Sequence, residues 1–196
     1  MKRSQKLSLV LLAGAGVAAY AIARHDPSQQ EEDALIYRSE QECVDARLRS
    51  PAECHDGYEA ARASYAASAP RYETLEDCQK HHGRNHCVGG ATATPSAAAY
   101  FVPIMAAYMI GRTAAQNMPA QPLYQHGENE RETSGGSHGG GYCTGSGGYV
   151  RSARGGGVSR VASSTARTVT TTPRVVSRGG LGATGKAMAA HSSSAS

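Results

Sequence analysis

Four of the chain's five cysteines, Cys43, Cys54, Cys78 and Cys87, fall within 45 residues, as C-x10-C and C-x8-C pairs set 23 residues apart. An even set in a stretch with little else to bury reads as two disulfides. Four cysteines allow three connectivities. The local pairs Cys43–Cys54 and Cys78–Cys87 are favoured, each closing a short loop and contributing about 2–3 kcal/mol in the chain-entropy model. Composition explains why staples are needed. Leu, Ile, Val and Phe together number 25 of 196 residues, and there is no Trp. A share well below ~20% leaves little apolar surface to offset the entropy of ordering a chain. It argues against one large globular domain and against an enzyme with a deep apolar pocket. Only Leu35, Ile36, Val44, Leu48, Leu75 and Val88 serve the cysteine window, too few to hold about 55 residues together unaided.

Charge divides the chain into three blocks. Residues 1–24 carry Lys2, Arg3, Lys6 and Arg24 and no acid; residues 25–132 carry nine Lys/Arg against all sixteen Asp/Glu; residues 133–196 carry seven Lys/Arg and again no acid. The first block reads as a targeting segment. A positive start is followed by the uncharged run Leu7–Ala23, which ends in the small-x-small pattern Ala21-Ile22-Ala23. A cleaved signal peptide and a retained inner-membrane anchor over residues 7–23 both fit, since such a run is near the minimum for a span. Either places the rest of the chain in the periplasm or cell envelope. Residues 25–34 read as an acidic linker.

Residues 35–88 read as a small all-α, disulfide-stapled domain. Ser39 with Glu42, and Thr74 with Asp77, carry the hydroxyl-then-acid spacing that caps a helix N-terminus, so helices are expected to start near residues 40 and 75. Between them Tyr58, Ala61, Tyr65 and Ala69 recur at steps of three or four, a helical stripe that Pro70 ends. His55, His81, His82 and His86 lie near the cysteines, but zinc sites pair ligands at C-x2-4-C and that spacing does not occur. A Cys–His nucleophile is poorer still, because no orienting acid or amide is specified and paired cysteines are not nucleophiles. No metal and no cofactor are expected.

Residues 97–115 read as a short apolar, Pro-containing helical segment, in which Pro103 suits the first turn of a helix running from Ile104 to about Ala115. At fifteen residues, its apolar core over 97–111 is too short to span a bilayer. Met105, Tyr108, Met109 and Arg112 would share one side and, with Phe101, form a membrane or partner contact. Residues 133–196 read as a disordered tail, Gly-rich up to Gly157 and then rich in Ser, Thr and Arg. Cys143 is left as a free thiol. Arg154, Arg160, Arg167, Arg174 and Arg178 recur every few residues and suit an anionic surface, such as lipid headgroups or an acidic envelope polymer. Their other natural partner is the chain's own acidic block. Nucleic acid is not expected once an export signal is read.

Several blocks resemble one known family. They are Tyr37 to Cys43, Pro51-Ala52-Glu53-Cys54, Ala69-Pro70-Arg71-Tyr72, Glu76-Asp77-Cys78, Phe101 to Arg112, Gln121-Pro122-Leu123-Tyr124 and Arg178-Gly179-Gly180-Leu181-Gly182. In order and in both cysteine spacings they are similar to the YgiB-like family of uncharacterised Gram-negative envelope proteins. The resemblance implies an envelope accessory role and carries over no catalytic residue. Members often look like lipoproteins, whereas this chain has no cysteine before Cys43. It also implies a link to an ATP-grasp ligase resembling glutathionylspermidine synthase, encoded beside many members. The expected function is therefore a non-enzymatic envelope protein that docks on membrane, anionic surface or partner protein. The alternative is a substrate or carrier for that ligase, modified on its tail at Cys143 or Lys186.

Overall fold

The structure, a computed structural model, describes residues 30–127, 141–151 and 157–176. Its main element is a six-stranded antiparallel sheet, in the order β8-β7-β6-β5-β1-β9. These strands are β1 (Glu31–Tyr37), β5 (Met105–Gly111), β6 (Gln121–Gln125), β7 (Gly141–Cys143), β8 (Tyr149–Arg151) and β9 (Val158–Ala162). The two outer strands meet, and Ser159 Oγ donates to the Arg151 carbonyl at 3.1 Å, so the sheet curls almost into a barrel. Its interior takes Ala34 and Ile36, Ala107 and Met109, Leu123, Tyr142, Val150 and Val161, with contributions from all six strands. Ala166 of the short helix α4 (Ser163–Ala166) packs against them.

Between β1 and β5 the chain inserts a covering layer. It contains α1 (Glu40–Ala46), α2 (Pro51–Ser68), β2 (Arg71–Tyr72), α3 (Leu75–His82), β3 (Cys87–Gly89) and β4 (Phe101–Pro103). With β10 (Val175–Val176), strands β2, β4 and β3 form a second small sheet in the order β10-β2-β4-β3, β10 lying parallel to β2. Local chemistry sets the helices. Ser39 accepts from the Glu42 N–H at 3.2 Å, and Thr74 from the Asp77 N–H at 3.1 Å. Ser50 and Glu53 form a reciprocal capping box with Pro51 in the first turn. Helix α3 carries Glu76 and Asp77 in its first turn and Lys80, His81 and His82 in its last, which complements the helix dipole at both ends. Disulfide Cys43–Cys54 ties α1 to α2, and Cys78–Cys87 ties α3 to β3.

The layer packs on the outer face of β1 and β5. Leu35, Tyr37, Tyr108 and Ile110 meet Cys43, Cys54 and Ala61 there. Helix α2 comes close enough that a Cβ on Gly57 would stand 2.8 Å from Ile110 Cγ2. Glycine here allows the helix to lie directly on the strand.

An all-α fold is therefore wrong: the described residues hold ten strands in two sheets and four α-helices. The segment expected as a Pro-containing helix over 97–115 is β4 and β5. Both faces of β5 are buried, Tyr108 and Ile110 under the helices and Ala107 and Met109 in the barrel. The acidic linker is, from Glu31 onward, β1, which lies between β5 and β9. The tail is ordered over 141–151 and 157–176, where it supplies β7 to β10 and α4. Its Arg160 reaches Glu31 at 3.8 Å, and Arg167 Nη2 donates to Glu32 at 2.7 Å. The tail thus folds onto the chain's own acids. The targeting segment over residues 1–24 lies outside the described residues.

Candidate functional site

The densest chemistry lies where α3 meets β6 and β7. The cap at Thr74 sets the phase of α3 so that His82, in its last turn, points inward and is 2% exposed. Its Nδ1 lies 2.7 Å from the Gln125 carbonyl, which only accepts, so Nδ1 carries the proton. Nε2 then accepts from the Tyr72 hydroxyl at 2.8 Å. The rings of Tyr72 and Tyr124 stand edge-on to the imidazole, with centroids 5.4 and 6.1 Å away. Tyr124 in turn shares a 3.2 Å hydrogen bond with Ser68.

Cys143 joins this centre. Its Sγ lies 3.8 Å from His82 Nδ1 and donates to the Tyr124 carbonyl at 3.7 Å. The side chain is 8% exposed, so the fifth cysteine is a buried thiol rather than an accessible tail cysteine. Burial pushes its pKa up to about 12, and burial drives that of His82 down to about 4. Both groups are therefore neutral near pH 7, and the imidazole nitrogen nearest the sulfur already donates to a carbonyl. The pair has the geometry of a thiol nucleophile and base without the electrostatics that would ionise it. Sequence spacing had no means of placing residues 61 positions apart side by side. In front of His82 lies a polar cleft of about 710 Å³ lined by Glu76, Lys80, Arg84, His86 and His126. Among the described residues, no three His, Cys, Asp or Glu side chains are grouped to hold a metal ion.

A second concavity has the opposite character. It holds about 540 Å³ between α2 and the corner joining β4 to β5, with Tyr58, Tyr65, Ile104 and Met105 in its walls and Arg38 and Arg62 beside them. Of the residues expected to make a membrane or partner contact, Met105 alone lines it. Phe101 is half-buried in β4. Tyr108 and Met109 are fully buried and face opposite sides of β5, so neither is a surface contact. Arg112 is exposed and paired with Asp33 at 2.9 Å. The strand replaces the helical face on which these residues would have met. Tyr58, Arg62 and Tyr65 were the missed residues; their i, i+4, i+7 spacing on α2 was the signal that they share a face.

Of the arginines expected on an anionic surface, Arg160 and Arg167 are engaged with Glu31 and Glu32. Arg174 leads into β10, where its carbonyl accepts from the Arg71 N–H at 2.8 Å. Its guanidinium lies beside Gly147. Arg154 and Arg178 lie outside the described residues, as does Lys186.

Fold and site together define a class: a disulfide-stapled, nearly closed antiparallel β-barrel with a helical cover and a buried Cys143–His82 pair held neutral. The chain belongs to a family of proteins of unknown function, DUF1190, whose model matches residues 31–192. It is 27% identical over 128 residues to a UPF0441 protein of Sodalis glossinidius, and 28% identical over 137 residues to UPF0441 proteins of Yersinia pestis and Yersinia pseudotuberculosis. In each case the match covers 62% of this chain, and the chain spans 58% of the relative's length. No solved structure matches the chain.

Proposed function

We propose that the chain is a non-enzymatic cell-envelope protein that works by docking through the groove between α2 and the β4–β5 corner. The observation that carries this reading is how the groove is built: its helical wall, α2, is stapled to α1 by Cys43–Cys54, and its Val88 wall lies on β3, stapled to α3 by Cys78–Cys87. Disulfides of this kind form and persist in oxidising compartments. An apolar groove left open on such a scaffold is a binding surface, whereas the buried Cys143–His82 pair is held neutral. No observation favours the carrier reading, and burial of Cys143 removes the accessible thiol that one form of it needs.

The test is fractionation of native cells with immediate thiol trapping and non-reducing peptide mapping. The expected result is protein in the envelope fraction with both cystines intact and Cys143 as a thiol. A cytosolic protein with four reduced cysteines overturns the reading.

A further inference from the structure

We infer that the α2 groove binds an amphiphilic anion with a single acyl chain. The chain would lie between Tyr58, Tyr65, Ile104 and Met105, and the carboxylate or phosphate would meet Arg38 and Arg62. This rests on the docking reading above and names its ligand class. Three observations carry it.

The first is that the walls are mostly apolar. Ile104, a large aliphatic side chain, is left 39% exposed there. Two hydroxyls of the lining are already committed: Tyr65 donates to the Pro103 carbonyl at 2.8 Å, and Thr92 to the Gly89 carbonyl at 2.7 Å. An extended peptide would bring backbone N–H and C=O groups that lose water without full replacement, which is costly. An acyl chain has no such groups.

The second is charge. Arg38 and Arg62 are the charged residues among those lining the groove, and both are cations. Each holds an acid of its own neighbourhood, Glu42 at 3.3 Å and Glu59 at 3.4 Å, in pairs whose arginines are 74% and 58% exposed. Exposed pairs of this kind contribute about 0–1 kcal/mol, so exchanging the carboxylate for that of a ligand costs little.

The third is position. The Arg62 guanidinium lies 5.7 Å from the Tyr58 ring centroid, which sets a positive charge directly beside the apolar wall. At about 540 Å³ the groove is in the size range of small-ligand sites.

The experiment is isothermal titration of the full, oxidised chain with palmitate below its micelle concentration, alongside hexadecanol and vesicles of phosphatidylglycerol or phosphatidylcholine. Palmitate is expected to bind saturably and more tightly than hexadecanol. Ile104→Asp, which puts a carboxylate in the apolar wall, should weaken palmitate by about tenfold or more. The double variant Arg38→Gln with Arg62→Gln should weaken it about three- to tenfold and remove its salt dependence. All three side chains are exposed, and near-UV circular dichroism confirms that the variants fold. Saturable binding of free palmitate that Ile104→Asp weakens supports the inference; binding of phosphatidylglycerol vesicles with no binding of free palmitate assigns a two-chain membrane lipid and overturns it. Absence of saturable binding, binding unchanged by Ile104→Asp, equal affinity for hexadecanol, or capture of an acidic peptide in place of palmitate overturns it. If palmitate fails while the protein fractionates with the envelope and keeps both cystines, the ligand class falls and the docking reading stands.

Discussion

Mild acid should loosen this protein largely through His82. Burial drives its pKa from 6.5 down to about 4; the hydrogen bond to the Gln125 carbonyl pulls the other way, and the nearby His81, His126 and Arg174 side chains add to the depression. In the unfolded chain the same ring titrates near ~6.5. Between those values the unfolded state binds a proton that the folded state refuses. The stability that the neutral imidazole supplies is therefore fully present above pH ~6.5 and is lost as pH falls through ~4. The slope is about 1.4 kcal/mol per pH unit, and over about two and a half units the loss is on the order of 3 kcal/mol. That is a large part of the ~5–15 kcal/mol that holds a typical domain. Urea unfolding followed by far-ultraviolet circular dichroism, at steps from pH 7.5 to 4, measures it. His82→Gln keeps an N–H for the Gln125 carbonyl and has no titrating ring, so its stability should fall less steeply, by about one proton's worth of slope between pH 6.5 and 4.5. An NMR titration that places the His82 midpoint near 6.5, or equal slopes for the two proteins, would refute the reasoning.

Three further outcomes are expected. Replacing Cys43 and Cys54 together by Ala opens a loop whose ends are 11 residues apart, and should cost about 3 kcal/mol of unfolding free energy; a loss below about 0.5 kcal/mol in urea titrations would show that α1 and α2 are held by packing alone. Gly90→Ala would place a Cβ 2.1 Å from the Ala97 carbonyl oxygen, whereas the neighbouring Gly89 has nothing within 4 Å of that position. Gly90→Ala should therefore destabilise by about 2 kcal/mol or more and Gly89→Ala by well under about 1 kcal/mol, and equal melting temperatures for the two variants would contradict this packing. The Cys143 thiol, buried and with its pKa raised to about 12, should resist iodoacetamide at pH 8 in the native protein and label fully once denatured; mass spectrometry after a short pulse reads the difference, and rapid native labelling would place the thiol at the surface.

Helix α1 starts at Glu40 and α3 at Leu75, where a Ser or Thr three residues before an acid marks a cap in the sequence. Such caps act within four residues, so neighbouring letters suffice to read them. The bonds Cys43–Cys54 and Cys78–Cys87 are local for the same reason. The strands were hidden in two ways. Met105–Gly111 is apolar on successive residues because β5 is buried on both faces, which erases the alternation that identifies a half-buried strand. Glu31-Glu32-Asp33 looks like solvated linker until Arg160, Arg167 and Arg112 arrive beside it. The same distance hid the site: His82 and Cys143 are 61 residues apart, and the groove draws on α2, β3 and the β4–β5 corner.

The sequence by itself determined where the helices of the covering layer begin, which helical turns the disulfides staple, and that large apolar side chains are too few for these helices to stand alone. Tertiary structure decided what they stand on. The barrel closes only when β1 pairs with β5 and β9, both far along the chain, and the free energy of that pairing belongs to the assembled sheet. No single segment carries it: the acid of β1 and the arginine of β9 are unremarkable alone and become a strand pair only together.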